Sequence, residues 1–508
     1  MNGWIWLGSL GLAAGLAACA VGPDYHAPET PIPDGFLHST EPSSKASPGS
    51  TADLAEWWRA LHDPELDALI ARAIGANPDV EIALTRLQEA RTQEIVVTSE
   101  ALPVVDGTAG GGIGTGTNLT RGRATPLLTS AENSTNFKKI NRAGGFEATW
   151  ELDIFGKFRR ELEAAVYDAE ALAEARDWVL VTVAADVARA YIDMRALQRE
   201  FGVLQQNIGV VQRSLDLVRT RFERGLTNEM DVTLAQRQLA TLQASLPPLG
   251  AQIAANQHVI AVLLGQFPEE LAKELSGPGL MPTLPAHIPV GLPVDLLRRR
   301  PDIRSAERRL AAATARIGAA TADLFPTVTL SGALGAQGGP HSSSAVPITL
   351  IGSLGPSVYW PVLDFGALDA KVDIADLQAH ELMVSYKQTI LAAVQQVDDA
   401  IAAYRAEQDR LKNLDRALAA ARRATKLASE RYDRGLTDFL NVLDAERQEF
   451  DLEQQHVITR QMVAEQLVAL YKALGGGWPV YEIIPPIRQP QPALIAAARR
   501  LLAPDESR

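Results

Sequence analysis

The sequence predicts a mainly α fold with a membrane-type β component, built as an internal two-fold repeat. Three observations predict it. The segments Gly156–Gly225 and Gly366–Gly435 contain no proline. A helix of ~65 residues rising 1.5 Å each is about 100 Å long, far beyond the ordinary globular range. Two other segments, 102–154 and 325–362, are rich in glycine, serine and threonine and hold no helical face. Finally, Arg221-Phe-Glu-Arg-Gly-Leu-Thr-Asn-Glu-Met-Asp-Val-Thr-Leu-Ala-Gln-Arg-Gln238 recurs as Arg431-Tyr-Asp-Arg-Gly-Leu-Thr-Asp-Phe-Leu-Asn-Val-Leu-Asp-Ala-Glu-Arg-Gln448, nine of eighteen positions identical at an offset of 210. The same offset carries Trp150 to Trp360, Phe155 to Phe365, Gly156 to Gly366 and Gly265 to Gly475.

Composition narrows the function classes. The chain has 508 residues, a net charge of −13 and no basic cluster, which argues against a nucleic-acid partner. It is 46% hydrophobic, too much for disorder, and its single cysteine permits no internal disulfide. Only 6% of residues are aromatic while alanine and leucine recur, which suits long, closely packed helices.

At the N-terminus, Trp4 to Ala18 is apolar and too short for a bilayer span, so residues 1–18 read as a signal peptide. Leu16-Ala-Ala-Cys19 resembles a bacterial lipoprotein box, with lipid on Cys19; the alternative is a small buried cysteine. Ala20 is not the aspartate that retains such proteins at the inner membrane, so delivery to the outer membrane is expected. Residues 22–56, rich in Pro, Ser, Thr and Gly, read as an extended tether within a segment 19–62.

The first repeat is expected over 63–265. A helix fits Pro64 to about Glu100, with Leu66, Leu69, Ile70 and Ala73 on its face. The clearest strand is Phe146–Ile154. Phe146, Ala148, Trp150, Leu152 and Ile154 alternate with Glu147, Thr149, Glu151 and Asp153, the length of a tilted transmembrane strand. A soluble sheet edge would give the same alternation and would bury Trp150. The long helix follows, then a turn at Gly225-Leu-Thr-Asn228 with glycine C-cap and fresh N-cap chemistry. A returning helix ends at Gly265, with Pro247-Pro248 as a candidate break. The linker 266–301 holds seven prolines. The second repeat, 302–475, repeats the order, and 476–508 is a short proline-rich tail.

Two strands per repeat give about four per chain. Four membrane strands leave open edges, and each unpaired backbone group in lipid costs several kcal/mol. Helices of such length also need lateral packing. Ring closure of several copies meets both demands and leaves an axial channel.

With Leu16-Ala-Ala-Cys19 and Val21-Gly-Pro-Asp-Tyr25, further segments carry a resemblance: Gly291-Leu-Pro-Val-Asp-Leu-Leu-Arg-Arg-Arg-Pro-Asp-Ile303, Ala322-Asp-Leu-Phe-Pro326, Trp150-Glu-Leu-Asp-Ile-Phe-Gly156 with its copy Trp360–Gly366, and the paired Arg-x-x-Arg-Gly-Leu-Thr turns. In this order they resemble the outer membrane efflux protein family, in its lipoprotein branch, over essentially the whole mature chain. The resemblance implies a homotrimer with one 12-stranded β-barrel in the outer membrane, four strands from each subunit, continued by an α-helical tunnel through the periplasm. Segment 266–301 and the tail would form an equatorial belt. It implies two further partners, a periplasmic adaptor and an inner-membrane pump, usually proton-driven and of RND type, which supplies the energy for passing drugs, solvents or other small molecules outward.

On that reading the turns at Gly225 and Gly435, with Arg221, Arg224, Arg431 and Arg434, dock the adaptor; pure helix capping is the other role open to the arginines. The resemblance makes Asp444 and the position of Asn441 constriction rings, with Asp231 the first-repeat equivalent of Asn441, where this chain lacks the charge. A solvated helix face is the plainer alternative. Glu147, Glu151 and Asp153 would face the barrel lumen, and Trp150 and Trp360 the lipid. Eight histidines lie scattered without ligand spacing, and no nucleophile elbow or phosphate loop is present, so neither metal, cofactor nor catalysis is expected. A periplasmic coiled-coil scaffold or adaptor lipoprotein without a pore is the alternative function.

Overall fold

The computed structural model describes residues 20–29, 31, 33, 35–37, 54–114, 139–277, 280–285, 299–338 and 348–478. Cys19, the leader 1–18, most of the Gly291–Ile303 motif and the tail from 479 lie outside the described residues.

Asp63 opens helix α1 (Pro64–Ala76), its carboxylate accepting from Glu65 N and Leu66 N at 3.0 and 3.2 Å, with proline at the first helical position. The single helix expected from Pro64 to Glu100 is two. Asn77 ends α1 and caps α2 (Pro78–Glu100), accepting from Asp79 N at 2.8 Å and Val80 N at 3.3 Å. Pro78 has no N–H to continue the first helix. Strands β1 (Val104–Gly114) and β2 (Lys139–Leu152) precede α3 (Lys157–Glu223) and α4 (Glu229–Leu263). Pro247 and Pro248 do not break α4. The carbonyls they leave unpaired belong to Gln243 and Ala244, both exposed, where water can serve them.

The linker supplies only the short helix α5 (Pro268–Leu271) and a 3-10 turn, Glu274–Ser276. The second half then gives α6 (Pro301–Ala322), β3 (Thr327–Gly338), β4 (Ile348–Tyr359), α7 (Ala367–Asp433) and α8 (Phe439–Ala473). α3 and α7 have 67 residues each, α4 and α8 35 each, and every boundary of the second pair lies 210 residues after its counterpart.

The main core sits about halfway along α3. Trp57, Leu61, Leu66 and Ile70 pack on Val187 and Tyr191 of α3 and on Leu467 of α8, and Trp57 stacks on Tyr471 at 5.0 Å. Gly265 leaves α4 at φ +66° so close to Ala76 that a Cβ would collide with the Ala76 carbonyl oxygen.

The start of the expected extended tether is tied to the helices at several points. Val21 N donates to Phe155 O at 3.1 Å, and Arg160 Nη2 donates to Asp24 Oδ1 at 2.6 Å. Gly22 lies directly on the backbone of Gly318, and Gly318 in turn admits the Arg160 side chain. The first residues after Cys19 are thus pinned where the sheet meets the helices.

Candidate functional site

The four strands form one antiparallel sheet in the order β1-β2-β3-β4. Its register aligns like with like. Phe146 of β2 stands opposite Leu334 of β3 and Gly107 of β1; Trp150 stands opposite Leu330, which stands opposite Pro356. Because side chains alternate, one face carries Val105, Phe146, Trp150, Leu334, Leu354 and Val358, and the other Asp106, Glu147, Glu151, Thr329, Ser331 and Ser357. The apolar face is uncovered: Leu354 is 80% exposed, Val358 67% and Phe146 65%. In water such a face would be strongly unfavourable. Its two outer strands, β1 and β4, run 11 and 12 residues and have no partner on their outer edges among the described residues.

Trp150 and Trp360 lie at the helix-proximal end of this sheet, Trp360 just past β4. Their indole N–H groups donate to the carbonyls of Ala101 and Leu324 at 3.0 and 3.1 Å. The rings keep an apolar face outward while their polar edge is satisfied, at 37% and 54% exposure. Glu147 and Glu151 are on the polar face. Asp153, expected with them, is not in the strand. It lies beyond Leu152, and its carboxylate accepts from Phe158 N at 3.2 Å and Arg159 N at 3.1 Å while pairing with Arg159 Nε. It caps α3, because the residue before Gly156 that can reach the free N–H groups must be acidic or polar. Ile154, the strand's expected last apolar residue, is likewise outside it. Glu161, one turn into α3, is held above the usual carboxyl range by burial, against the pull of Lys157.

At the far end of the helices the two turns share one geometry. Gly225 and Gly435 both have φ +70°. Leu226 N donates to Arg221 O and Leu436 N to Arg431 O, both at 2.9 Å, the longer bond of a glycine-terminated helix end. Their arginines differ. Arg224, Arg431 and Arg434 are exposed. Arg221 reaches across to the second turn instead: Nη1 donates to Tyr432 O at 3.1 Å, Nη2 to Asp433 O at 3.3 Å, and the guanidinium lies 4.2 Å over the Tyr432 ring. The sequence places Arg221 with the exposed docking arginines; the second copy's Tyr432, where the first has Phe222, gives it a buried ring to cover. Tyr432 and Phe439 belong to the core that joins both tips, and neither was legible as a site residue.

Just past the turns, Asn228 caps α4 by accepting from Asp231 N at 3.1 Å, and the Thr227 hydroxyl donates to the Asp231 carboxylate. Asp231 is therefore half-buried in its own turn. Asn441 and Asp444 are exposed on α8; Asn441 Nδ2 donates to Thr437 Oγ1 at 2.9 Å, and Gln448 Nε2 to Asp444 Oδ2 at 2.7 Å. No cluster of potential metal ligands occurs among the described residues, and no described helix is long and apolar enough to cross a membrane.

Known proteins share this architecture. The family model described as outer membrane efflux protein matches residues 69–266 and 292–476. Nodulation protein T of Rhizobium leguminosarum bv. viciae is 32% identical over 95% of each chain. The antibiotic efflux pump outer membrane protein ArpC of Pseudomonas putida is 31% identical, over 91% of this chain and 93% of its own length. The solved outer-membrane channel OprN superposes with a TM-score of 0.79 at 36% identity, covering 91% of this chain and all of that one. Two matched blocks, one on each repeat, together with superposition on a solved channel along nearly the whole length, place this chain in the outer membrane efflux protein family.

Proposed function

We propose that three copies of this chain close into one 12-stranded barrel in the outer membrane and a helical tunnel beneath it, through which drugs or other small molecules pass passively outward. The observation that carries the reading is the uncovered apolar face of a sheet with two unpartnered edges. A lipid bilayer satisfies the face, and β4 of one copy against β1 of the next, antiparallel by strand order, satisfies the edges. An apolar stripe on the membrane-proximal half of α7 supports assembly: Leu377, Val384 and Leu391, spaced by sevens, are 67%, 52% and 71% exposed, as a helix awaiting a neighbour would be. A pore-free scaffold would have no use for a two-faced sheet of this kind.

The work of export belongs to an inner-membrane pump, proton-driven and of RND type, linked through a periplasmic adaptor. The tips at Gly225 and Gly435 are the adaptor's landing surface. Their exposed Leu226, Met230, Leu436 and Leu440, with Arg224, Arg431 and Arg434, give apolar contact ringed by positive charge. Asp444, with Asn441 and Asp231, narrows the entrance. Cys19 carries the lipid anchor: Ala20 lies against Gly156 at the sheet–helix junction, so an acyl chain on the preceding residue starts at the level where the membrane ends. The names of the relatives, which include antibiotic and toluene pumps, favour a broad cargo chosen upstream. Purified protein in a planar bilayer should give discrete single-channel steps of uniform size. A preparation that is folded and membrane-inserted yet never conducts would refute the duct.

A further inference from the structure

α3 carries two stripes of seven-residue period that face different partners. Leu204, Ile208, Val211, Leu215 and Val218 are apolar and pack with α4 side chains such as Leu239 and Leu242. The second stripe, Asp186, Asp193, Glu200, Asn207 and Ser214, is polar throughout and meets α8. Lys472 Nζ lies 3.4 Å from Asp186, Gln461 Nε2 donates to Asp193 at 3.0 Å and Gln454 Nε2 to Glu200 at 2.6 Å. Asn207 Nδ2 donates to Glu453 at 3.4 Å and Ser214 Oγ to Glu446 at 2.8 Å. α3 is thus held to α4 by an apolar seam, whereas its second line, toward α8, is a ladder of hydrogen bonds beside the apolar contacts that also join the two repeats.

One rung differs from the others. The amide nitrogen of Gln461 donates one N–H to Asp193 at 3.0 Å and the other to Glu465 at 2.8 Å, so one amide draws two carboxyl groups together. The Asp193 carboxyl, so close, favours the protonated form of Glu465, to which it also hydrogen-bonds. Arg189 on α3 is the cation that opposes the crowding. From α7, Arg410 reaches Met462 Sδ at 3.9 Å and is paired with Glu407 at 3.6 Å. We infer that Glu465 holds a proton shared in a hydrogen bond with Asp193 across the α3–α8 seam, and that this proton tightens the seam in acid while its loss loosens the seam as the medium becomes neutral.

Burial first, then Asp193, pushes Glu465 up to about 7. Burial also raises Glu446 at the ladder's lower end, beside Ser214, Glu449 and Arg213. The sign follows from linkage. Below the ordinary carboxyl range, docked and undocked seams are both protonated. Between that range and about 7 only the docked seam holds the proton, so docking weakens as pH rises through this window and is weakest above it. A polar ladder yields readily because each rung can exchange its partner for water. The idea needs the duct reading only for its consequence, a tunnel wall whose lower half responds to pH.

Amide hydrogen exchange over residues 458–468 tests it on the purified, assembled protein, with each rate divided by its intrinsic rate at the same pH. Protection in the natural protein should fall by about tenfold between pH 5.5 and pH 8, the full linkage being discounted for the pair's partial exposure. Glu465→Gln should flatten that profile, and Asp193→Asn should shrink it by the part that Asp193 adds to burial. Should Glu465→Gln fail to assemble, Asp193→Asn alone decides. A natural protein whose protection does not change with pH, or variants that retain its profile, would overturn the shared proton. Bilayer conductance of the same sample reports separately on the duct.

Discussion

Asp444 and Asn441 stand three residues apart on the first turns of α8, exposed, and only Asp444 is charged. In a three-fold ring, three Asp444 carboxylates near one axis would attract cations and repel one another. Asp444→Ala should widen the entrance and lower cation over anion selectivity; reversal potentials in asymmetric salt measure this, and an unchanged potential removes Asp444 from the gate. Asp231 offers less, because Thr227 and its own N-cap already engage it. How far single residues could be foreseen depended on what decides their roles. The glycines at 225 and 435 were readable because a helix end needs a left-handed residue whatever surrounds it. Asp153 and Arg221 were not. Alternation puts Asp153 on the strand's polar face, and only the position of α3 shows that its carboxylate is spent on the helix start. Arg221 looks identical to Arg431 in sequence, and its partner lies 211 residues away.

At the scale of elements, the repeat's glycines separate into those that need only their backbone angle and those that also need space. Gly225, at φ +70°, has open space where a Cβ would go. Gly225→Ala should cost ~1–2 kcal/mol, the strain of the left-handed angle. Gly265 adds a backbone collision to a similar angle. Gly265→Ala should therefore cost about 3 kcal/mol or more. Thermal unfolding of the two variants in one detergent, with equal shifts, would contradict the distinction. The long helices were readable from the absence of proline alone. The break at Asn77 was readable in principle too, since Asn-Pro is a helix start signal, but the apolar face continues through it. Pro247 and Pro248 misled in the other direction, because no sequence pattern tells whether the two carbonyls left over face water.

For the whole molecule, the sheet's polarity is the most demanding claim. Leu354 is central in β4 on the apolar face, and Ser353 is beside it on the polar face. Leu354→Arg should cost ~2–4 kcal/mol of insertion stability, if the residue lies near the bilayer midplane, while Ser353→Arg should cost far less. Urea-dependent folding into lipid vesicles measures both, and equal costs would mean that neither face meets lipid. Strand number and alternation were enough to demand partner copies. They could not reveal that all four strands share one apolar face, because that depends on the register between strands 180 residues apart in sequence.

The equal lengths of α3 and α7 carry a consequence of their own. The tips can meet in one plane only while both rods have the same count of turns. Deleting a residue from one would lift its end by 1.5 Å and swing it by about 100°, turning Arg221 away from Tyr432. Length changes in the lineage of such a chain must therefore arrive in pairs, one in each half, like the legs of a stool trimmed together.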